Sequence, residues 1–387
     1  MRVAGLFAGI GGLELGLHDA GHETVIFSEN WAPAAAVLAE RFPQVPNIGD
    51  VRQIKSLPQI DILTAGFPCQ DLSQAGRTVG ISGAKSGLVD HVFRLIDRER
   101  PSWVLLENVS FMLRLDSGSA MTRLASALEE RGYRWAYRVV NSLSFLPQRR
   151  ERVFLLASLE DDPADVLFVD EAEPEVANTS LETHAHGFYW TEGVRGLGWG
   201  PDCVPTLKNG STLGIPSPPA ILLPNGEIVT PDIRDAERLQ GFRANWTKPA
   251  EQVGRASFRW SLVGNAVTKP VASWVGKRLH RPGHYDRSRD SGFVKGDKWP
   301  RAARLDDGKR REVQISDFPA WRSRAPLQEF LRHDPNLLSA RATAGFLSRI
   351  EKSSLRFVPG FKDRVRAHLV HVRTVDEFVN QRRLAAE

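Results

Sequence analysis

Residues 66–76 read Gly66-Phe67-Pro68-Cys69-Gln70-Asp71-Leu72-Ser73-Gln74-Ala75-Gly76. The run before them, Ile60-Asp61-Ile62-Leu63-Thr64-Ala65, has the composition of a buried strand. A strand that empties into a Gly-Phe-Pro turn presents its next side chain at the strand's carboxyl end, where open α/β sheets bind ligands. Cys69 is therefore a candidate nucleophile. A lone cysteine also serves as a small buried hydrophobe, so its company in the sequence has to separate the two roles.

Outward from this turn, residues 1–157 alternate strand and helix signals. Strands are expected at 2–7, 23–28, 60–65, 102–107, 135–142 and 152–158, and helices near 12–20, 32–41, 87–98 and 120–131. Gly21 and Gly132 stand where helices end. The pattern predicts an α/β fold with a doubly wound, mostly parallel sheet. From residue 158 the chain turns acidic, then rich in Gly and Pro over 187–230, which predicts a small irregular unit of short strands and loops. Helical pattern resumes at 233–241 and after Gly264. Residues 231–279 read as a return segment, 280–314 as a polar, Arg-rich linker, and 326–383 as mainly helical.

The chain of 387 residues is long enough for two or three domains. No apolar run approaches the ~20 residues of a membrane span, and the first residues lead straight into strand-like sequence, so neither a membrane nor a signal peptide is expected. Two cysteines give no disulfide framework and suggest a cytoplasmic setting. Residues 281–387 carry 23 Lys and Arg against 14 Asp and Glu, whereas 159–230 hold only Arg195 and Lys208 against 12 acids. The basic tail fits either a polyanionic partner or a solvated helical face. His184, His186 and Cys203 lack a second Cys/His pair, so no metal is expected.

Phe7-Ala8-Gly9-Ile10-Gly11-Gly12-Leu13 lies between the first strand and first helix, where glycines let backbone amides approach a ligand. It is not a full dinucleotide fingerprint, since Glu14 occupies the third glycine position. Glu29 ends the second strand, placed for ribose hydroxyls, and Asp50 follows Gly49 where it could meet an adenine amino group. Glu107-Asn108-Val109 ends an apolar strand, and a carboxylate there is costly unless paired or used. In Gln148-Arg149-Arg150-Glu151-Arg152, alternation puts Arg150 and Arg152 on one face, one to anchor an acid and the other to reach a substrate.

Taken in order, FAGIGG (7–12), PCQ (68–70), ENV (107–109), QRRER (148–152), RDAERLQGF (234–242) and GNAV (264–267) resemble the DNA (cytosine-5)-methyltransferase family, over residues 3–157 and 231–279. The resemblance implies a catalytic cofactor-binding domain at 1–157 completed by 231–279, a target-recognition region at 158–230, and a basic, mainly helical extension at 280–387 that adds DNA affinity or contacts a partner. It implies S-adenosylmethionine as cofactor, held by Phe7, Gly9, Gly11, Gly12, Leu13, Glu29, Asp50, Leu88, Asn265 and Val267. Cys69 becomes the nucleophile, Glu107 holds the cytosine, Arg152 contacts its carbonyl, and Arg150 is structural. Ser73 in the loop after Cys69, with Arg195, Thr206, Lys208 and Asn209, is expected at the DNA, and Arg77, Lys85, Arg149 and Arg243 at phosphates.

The implied chemistry explains these residue types. Carbon 5 of cytosine becomes nucleophilic once a thiolate adds to carbon 6, and the target base has to leave the duplex first. A protonated Glu107 steadies ring nitrogen 3. The resemblance further implies a bacterial modification enzyme acting on double-stranded DNA, with a separately encoded restriction endonuclease as possible partner. A tRNA cytosine methyltransferase shares the motifs, but its Cys-Phe-Thr segment is absent here. A DNA-binding protein that no longer methylates is the third reading. Asn30, Asp235 and Arg243 depart from the family pattern.

Overall fold

The computed structural model describes residues 1–67, 87–174, 176–177, 179–210, 216–293 and 298–384, with backbone alone for 379–384. Cys69, Ser73, Arg77 and Lys85 lie outside the described residues.

The first half follows the expected alternation closely. Strands β1 (Arg2–Leu6), β2 (Glu23–Ser28), β3 (Ile62–Ala65), β4 (Trp103–Val109) and β5 (Arg134–Asn141) alternate with helices Gly12–His18, Ala32–Arg41, Leu88–Glu99 and Ser119–Glu130. After the short β6 (Gln148–Arg149), β7 (Glu151–Ser158) inserts between β4 and β5 and runs antiparallel to both. β1 pairs in parallel with β2 on one side and β3 on the other, and β3 with β4. The chain thus reverses its direction of travel across the sheet beside β1, which opens a crevice at the carboxyl ends of β1 and β3.

Both faces of this sheet are covered, so its central strands read as continuous apolar runs. Side-chain alternation splits them between two cores. Leu63, Val104 and Leu106 pack with Val92, Ile96 and Leu124, while Ile62 and Leu105 pack with Leu17, Val271 and Val275 of helices Gly12–His18 and Lys269–His280.

The irregular segment builds a second, antiparallel sheet. β8 (His186–Phe188), β9 (Gly200–Pro201), β11 (Ala220–Leu222) and β12 (Ile228–Thr230) form it, while β10 (Val204–Pro205) pairs with β6. This second sheet closes on the C-terminal extension. Strand β16 (Asn336–Leu337) adds to β12, and helices Ala340–Glu351 and Phe361–Leu384 bring Phe346 and Phe361 against Phe188, at ring separations of 5.1 and 5.3 Å.

The structure differs from expectation over 280–314. Instead of a linker it contains β13 (Asp290–Gly292), β14 (Ala302–Asp306) and β15 (Lys309–Val313), and β14 pairs with β5, extending the central sheet to the order β13-β15-β14-β5-β7-β4-β3-β1-β2 among the described residues. The Arg-rich composition has a structural use. Arg304, fully buried, joins Asp162, Asp290 and Asp306, and Arg287, Arg289 and Arg364 pair with Asp162, Glu171 and Glu182 of the acidic stretch. Much of the tail's positive charge is therefore neutralised within the chain. A further helix, Phe258–Asn265, begins ahead of the expected restart after Gly264.

Removing Arg304 leaves its carboxylates crowded without their cation, so Arg304→Ala is expected to cost about 3–5 kcal/mol in urea unfolding. Arg366→Ala, at a pair half open to water, should cost no more than about 1 kcal/mol. Equal losses for the two variants would contradict this account of the extension.

Candidate active site

The crevice deepens into a cavity of about 700 Å³ at the carboxyl ends of β1 to β4. Phe7, Gly9, Gly12, Leu13, Glu29, Asp50, Leu88, Asn265 and Val267 line it, and so do Glu107 and Arg152. The structure thus gathers nine of the ten expected cofactor residues. Gly11 stands apart, its αL backbone (φ 78°) packed beside Leu38 and Phe42. Phe7 is also held at positive φ (52°), a conformation that costs a non-glycine residue energy and is often found at functional sites. At Gly12 a Cβ would fall 2.9 Å from the Val267 carbonyl, so the first loop and the return segment meet only because no side chain intervenes.

Local backbone donors hold the acids in place. Glu29 accepts from the Gly9 and Trp31 N–H groups at 2.9 and 2.7 Å, leaving each oxygen a second lone pair. Asp50 accepts from the Arg52 backbone and guanidinium at 2.9 and 3.0 Å, and these hydrogen bonds hold its carboxyl below the usual carboxylate range. Asn265 is exposed at the rim.

At the deeper end, Glu107 is 7% exposed and Arg152 Nε lies 3.2 Å from its Oε1. Burial pushes the Glu107 carboxyl above its ordinary range, outweighing the opposite pull of Arg152 and Arg150. Asn108 donates to the Phe67 carbonyl at 2.9 Å, fixing the chain two residues before Cys69. The other cysteine, Cys203, is buried and pushed up to about 11, which disqualifies it as a thiolate.

Arg150 takes the structural role expected of it. Fully buried, it donates to the carbonyls of Leu207, Gly264 and Ala266 at 3.3, 3.1 and 2.7 Å. Gln148 adds a second tie, accepting from the Leu207 N–H at 3.0 Å and donating to the Leu239 carbonyl at 2.8 Å. Asp235 keeps its pairing despite being shorter than the family's Glu. It bonds Arg238 and also caps the Arg332 and His333 N–H groups of the extension.

Of the expected DNA-facing residues, Arg195 and Asn209 are exposed, and Asn209 reaches the cavity. The Thr206 hydroxyl is spent on the Arg149 carbonyl at 3.0 Å. Lys208 pairs with Glu192 and lies 3.6 Å over the Tyr189 ring. His186 stacks on Trp199 and bonds the Ser180 carbonyl, the environment of a core histidine.

Trp31 and Glu14 are among the cavity residues that sequence reasoning missed. Trp31, one position beyond Asn30, supplies an aromatic wall and packs edge-on to Phe258 at 5.7 Å. Glu14, noted only as a missing glycine, lines the cavity at 1% exposure, and burial raises its carboxyl to about 7. The departure from a glycine pattern was itself the available signal.

The fold and site define a methyltransferase, and the comparisons give its class: the chain belongs to the C-5 cytosine-specific DNA methylases, whose family model matches residues 1–189. It is similar to Type II methyltransferase M2.BsuMI of Bacillus subtilis (strain 168), 46% identical over 98% of this chain and 97% of that one. It also resembles Type II methyltransferase M.HhaI of Haemophilus parahaemolyticus, 33% identical over 42% of this chain and 50% of the other. The S. pombe Dnmt2 methyltransferase structure shares the fold, with a TM-score of 0.52 at 16% identity, covering 72% of this chain and 98% of that one. The chain is thus a DNA (cytosine-5)-methyltransferase, a family that uses S-adenosylmethionine and a covalent cysteine mechanism on a flipped base.

Glu14 makes stability depend on pH. Its folded pKa of about 7 exceeds the ordinary 4.5, so its contribution is complete below the unfolded value and is lost as pH rises through about 7. Relative to the wild type, Glu14→Gln should gain about 2–3 kcal/mol in urea unfolding between about pH 5 and about pH 8. A difference that stays constant across this range would mean the carboxyl is ionised throughout.

Proposed function

We propose that the chain methylates carbon 5 of cytosine within a specific duplex DNA sequence, using S-adenosylmethionine, as the cytoplasmic modification enzyme of a restriction-modification system. The observation that carries this reading is the meeting of Glu107 and Arg152 in the cavity that also holds Glu29, Asp50 and Asn265, at the end of the strand that leads to Cys69. The modification role, with a separately encoded endonuclease as partner, rests on the similarity to Type II methyltransferases.

The cavity fits the cofactor chemically. Glu29 keeps free lone pairs for hydroxyl donors, Trp31 and Phe7 offer apolar faces, and Glu14 Oε2 has no hydrogen-bond partner among the described residues. When bound, the cofactor supplies a methyl group on a positively charged sulfur.

The residues divide the remaining work. The Cys69 thiolate bonds to carbon 6 of the flipped base, moving ring electrons toward carbon 5. Glu107, whose carboxyl burial pushes above its ordinary range, donates in its protonated form to ring nitrogen 3 as charge builds there. Arg152 holds the base's carbonyl oxygen and stands beside the Glu107 carboxyl, its Nε 3.2 Å from Oε1. After carbon 5 is methylated and loses its proton, the Cys69–carbon 6 bond breaks and the thiolate leaves. Ser73 is assigned to the DNA-contacting set, and Arg195, Thr206, Lys208 and Asn209 belong to the surface that selects the target. Asn209 links that surface to the cavity, because it lines one and its carbonyl accepts from Ser261 at 2.7 Å.

A duplex carrying 5-fluorocytosine at the methylated site, incubated with cofactor, should become covalently trapped at Cys69, and Cys69→Ala should abolish the adduct. Glu107→Gln should lower kcat by roughly 10²- to 10⁴-fold with cofactor affinity little changed. Binding of the duplex with neither adduct nor turnover would support the inactive DNA-binding reading, and turnover on tRNA alone would overturn the substrate assignment.

A further inference from the structure

One buried titratable group has no part in the chemistry above. Glu14 projects from helix Gly12–His18 toward the sheet, where Thr64 Oγ1 of β3 donates to its Oε1 at 2.7 Å. Its other oxygen, Oε2, has no hydrogen-bond partner among the described residues. The neighbouring strand is cut away to receive it, since a Cβ on Gly5 of β1 would lie 2.8 Å from the Glu14 carboxyl carbon. A carboxyl with a dedicated recess, one satisfied oxygen and one idle oxygen, lining a ligand cavity, is a built polar feature rather than a packing accident.

The surrounding charges define what it can respond to. Glu29, after β2, is the acid whose field reaches Glu14 and favours its neutral form, though burial is the larger cause. β1 and β3 contribute Gly5 and the neutral Thr64 at this point. Helix Lys269–His280 packs on the far side through Gly16, and its Lys269 is engaged by Asp19. Among the described residues, the other charged groups of the cavity are Asp50, tied to Arg52, and the Glu107, Arg150 and Arg152 cluster. No cation pairs with Glu14 among the described residues.

We propose that Glu14 reads the charge on the cofactor's sulfur: its carboxyl gives up its proton to solvent when the cationic methyl donor binds, and takes one back when the neutral thioether product remains. The inference rests on the reading of this cavity as the S-adenosylmethionine site. The donor form carries one more positive charge than S-adenosylhomocysteine, and a cation brought near a buried carboxyl favours its ionised form. Linkage then makes donor binding tighten as pH rises, while product binding stays nearly flat. Glu14 thereby favours exchange of spent cofactor for fresh.

Titration calorimetry of the full chain in buffers of differing ionisation enthalpy tests this without any turnover. At pH 7, S-adenosylmethionine should release roughly half a proton per molecule bound, because a group titrating at about 7 is then half protonated. S-adenosylhomocysteine should release close to none. Glu14→Gln should erase the difference between the two ligands while both still bind. Thr64→Val, which removes a bond favouring the ionised carboxyl, should move the midpoint of the pH dependence upward, and it decides the matter should Glu14→Gln fail to fold. Equal proton release for the two ligands, or an unmoved midpoint in Thr64→Val, overturns the proposal. Failure of the wild type to bind either ligand overturns the cavity assignment instead.

Discussion

The Arg150 guanidinium is the fastening on which the site depends. It is a fully buried cation whose hydrogen-bond partners are carbonyls, and burial together with repulsion from Arg152 holds it well below its ordinary range. Its two terminal nitrogens are met by those carbonyls while Nε has no hydrogen-bond partner among the described residues, and removing the side chain would leave buried carbonyls unsatisfied. The carbonyls it meets belong to Leu207, after β10, and to Gly264 and Ala266 at the end of helix Phe258–Asn265. One side chain on the central sheet therefore sets where the segment after β10 and the closing wall of the cavity stand. Gln148, two residues earlier, repeats the arrangement with neutral partners.

Charge is used in two ways along the chain. Near the cavity, Glu14 and Glu107 are buried carboxyls whose ordinary ionisation is suppressed by loss of water, and each remains available for a proton that matters. Away from it, arginines of the extension are matched with acids that precede β8, as with Arg289 and Glu171 or Arg364 and Glu182. Part of the acidity of 160–182 therefore offsets part of the basicity of 281–387. A net charge read from composition alone overstates what remains for a polyanion.

Much of the catalytic half was legible because its signals are local. Apolar runs such as Trp103–Leu106 are long enough to name a buried strand, and Gly21 and Gly132 turn at φ 87° and 80° where the helical patterns stop. The cavity residues were legible through the family motifs, since residues as distant as Phe7 and Val267 meet only after folding. β14 and β15 were hidden because their strands carry Arg304, Arg310 and Arg311, which mask the alternation that marks a strand. Two of the partners that make Arg304 and Arg310 acceptable there, Asp162 and Glu129, lie more than a hundred residues away. Glu14 was hidden for the converse reason, as a charged residue at a motif position whose burial no local pattern announces.

The packing of Phe346 and Phe361 against Phe188 joins two regions that are far apart in the chain. The sheet of β8, β9, β11 and β12 has no complete interior of its own, because its apolar face is finished by helices at the other end of the polypeptide. Moved alone into another scaffold, the central segment would leave Phe188, Ala220 and Leu222 open to water, so it depends on a compatible C-terminus to fold.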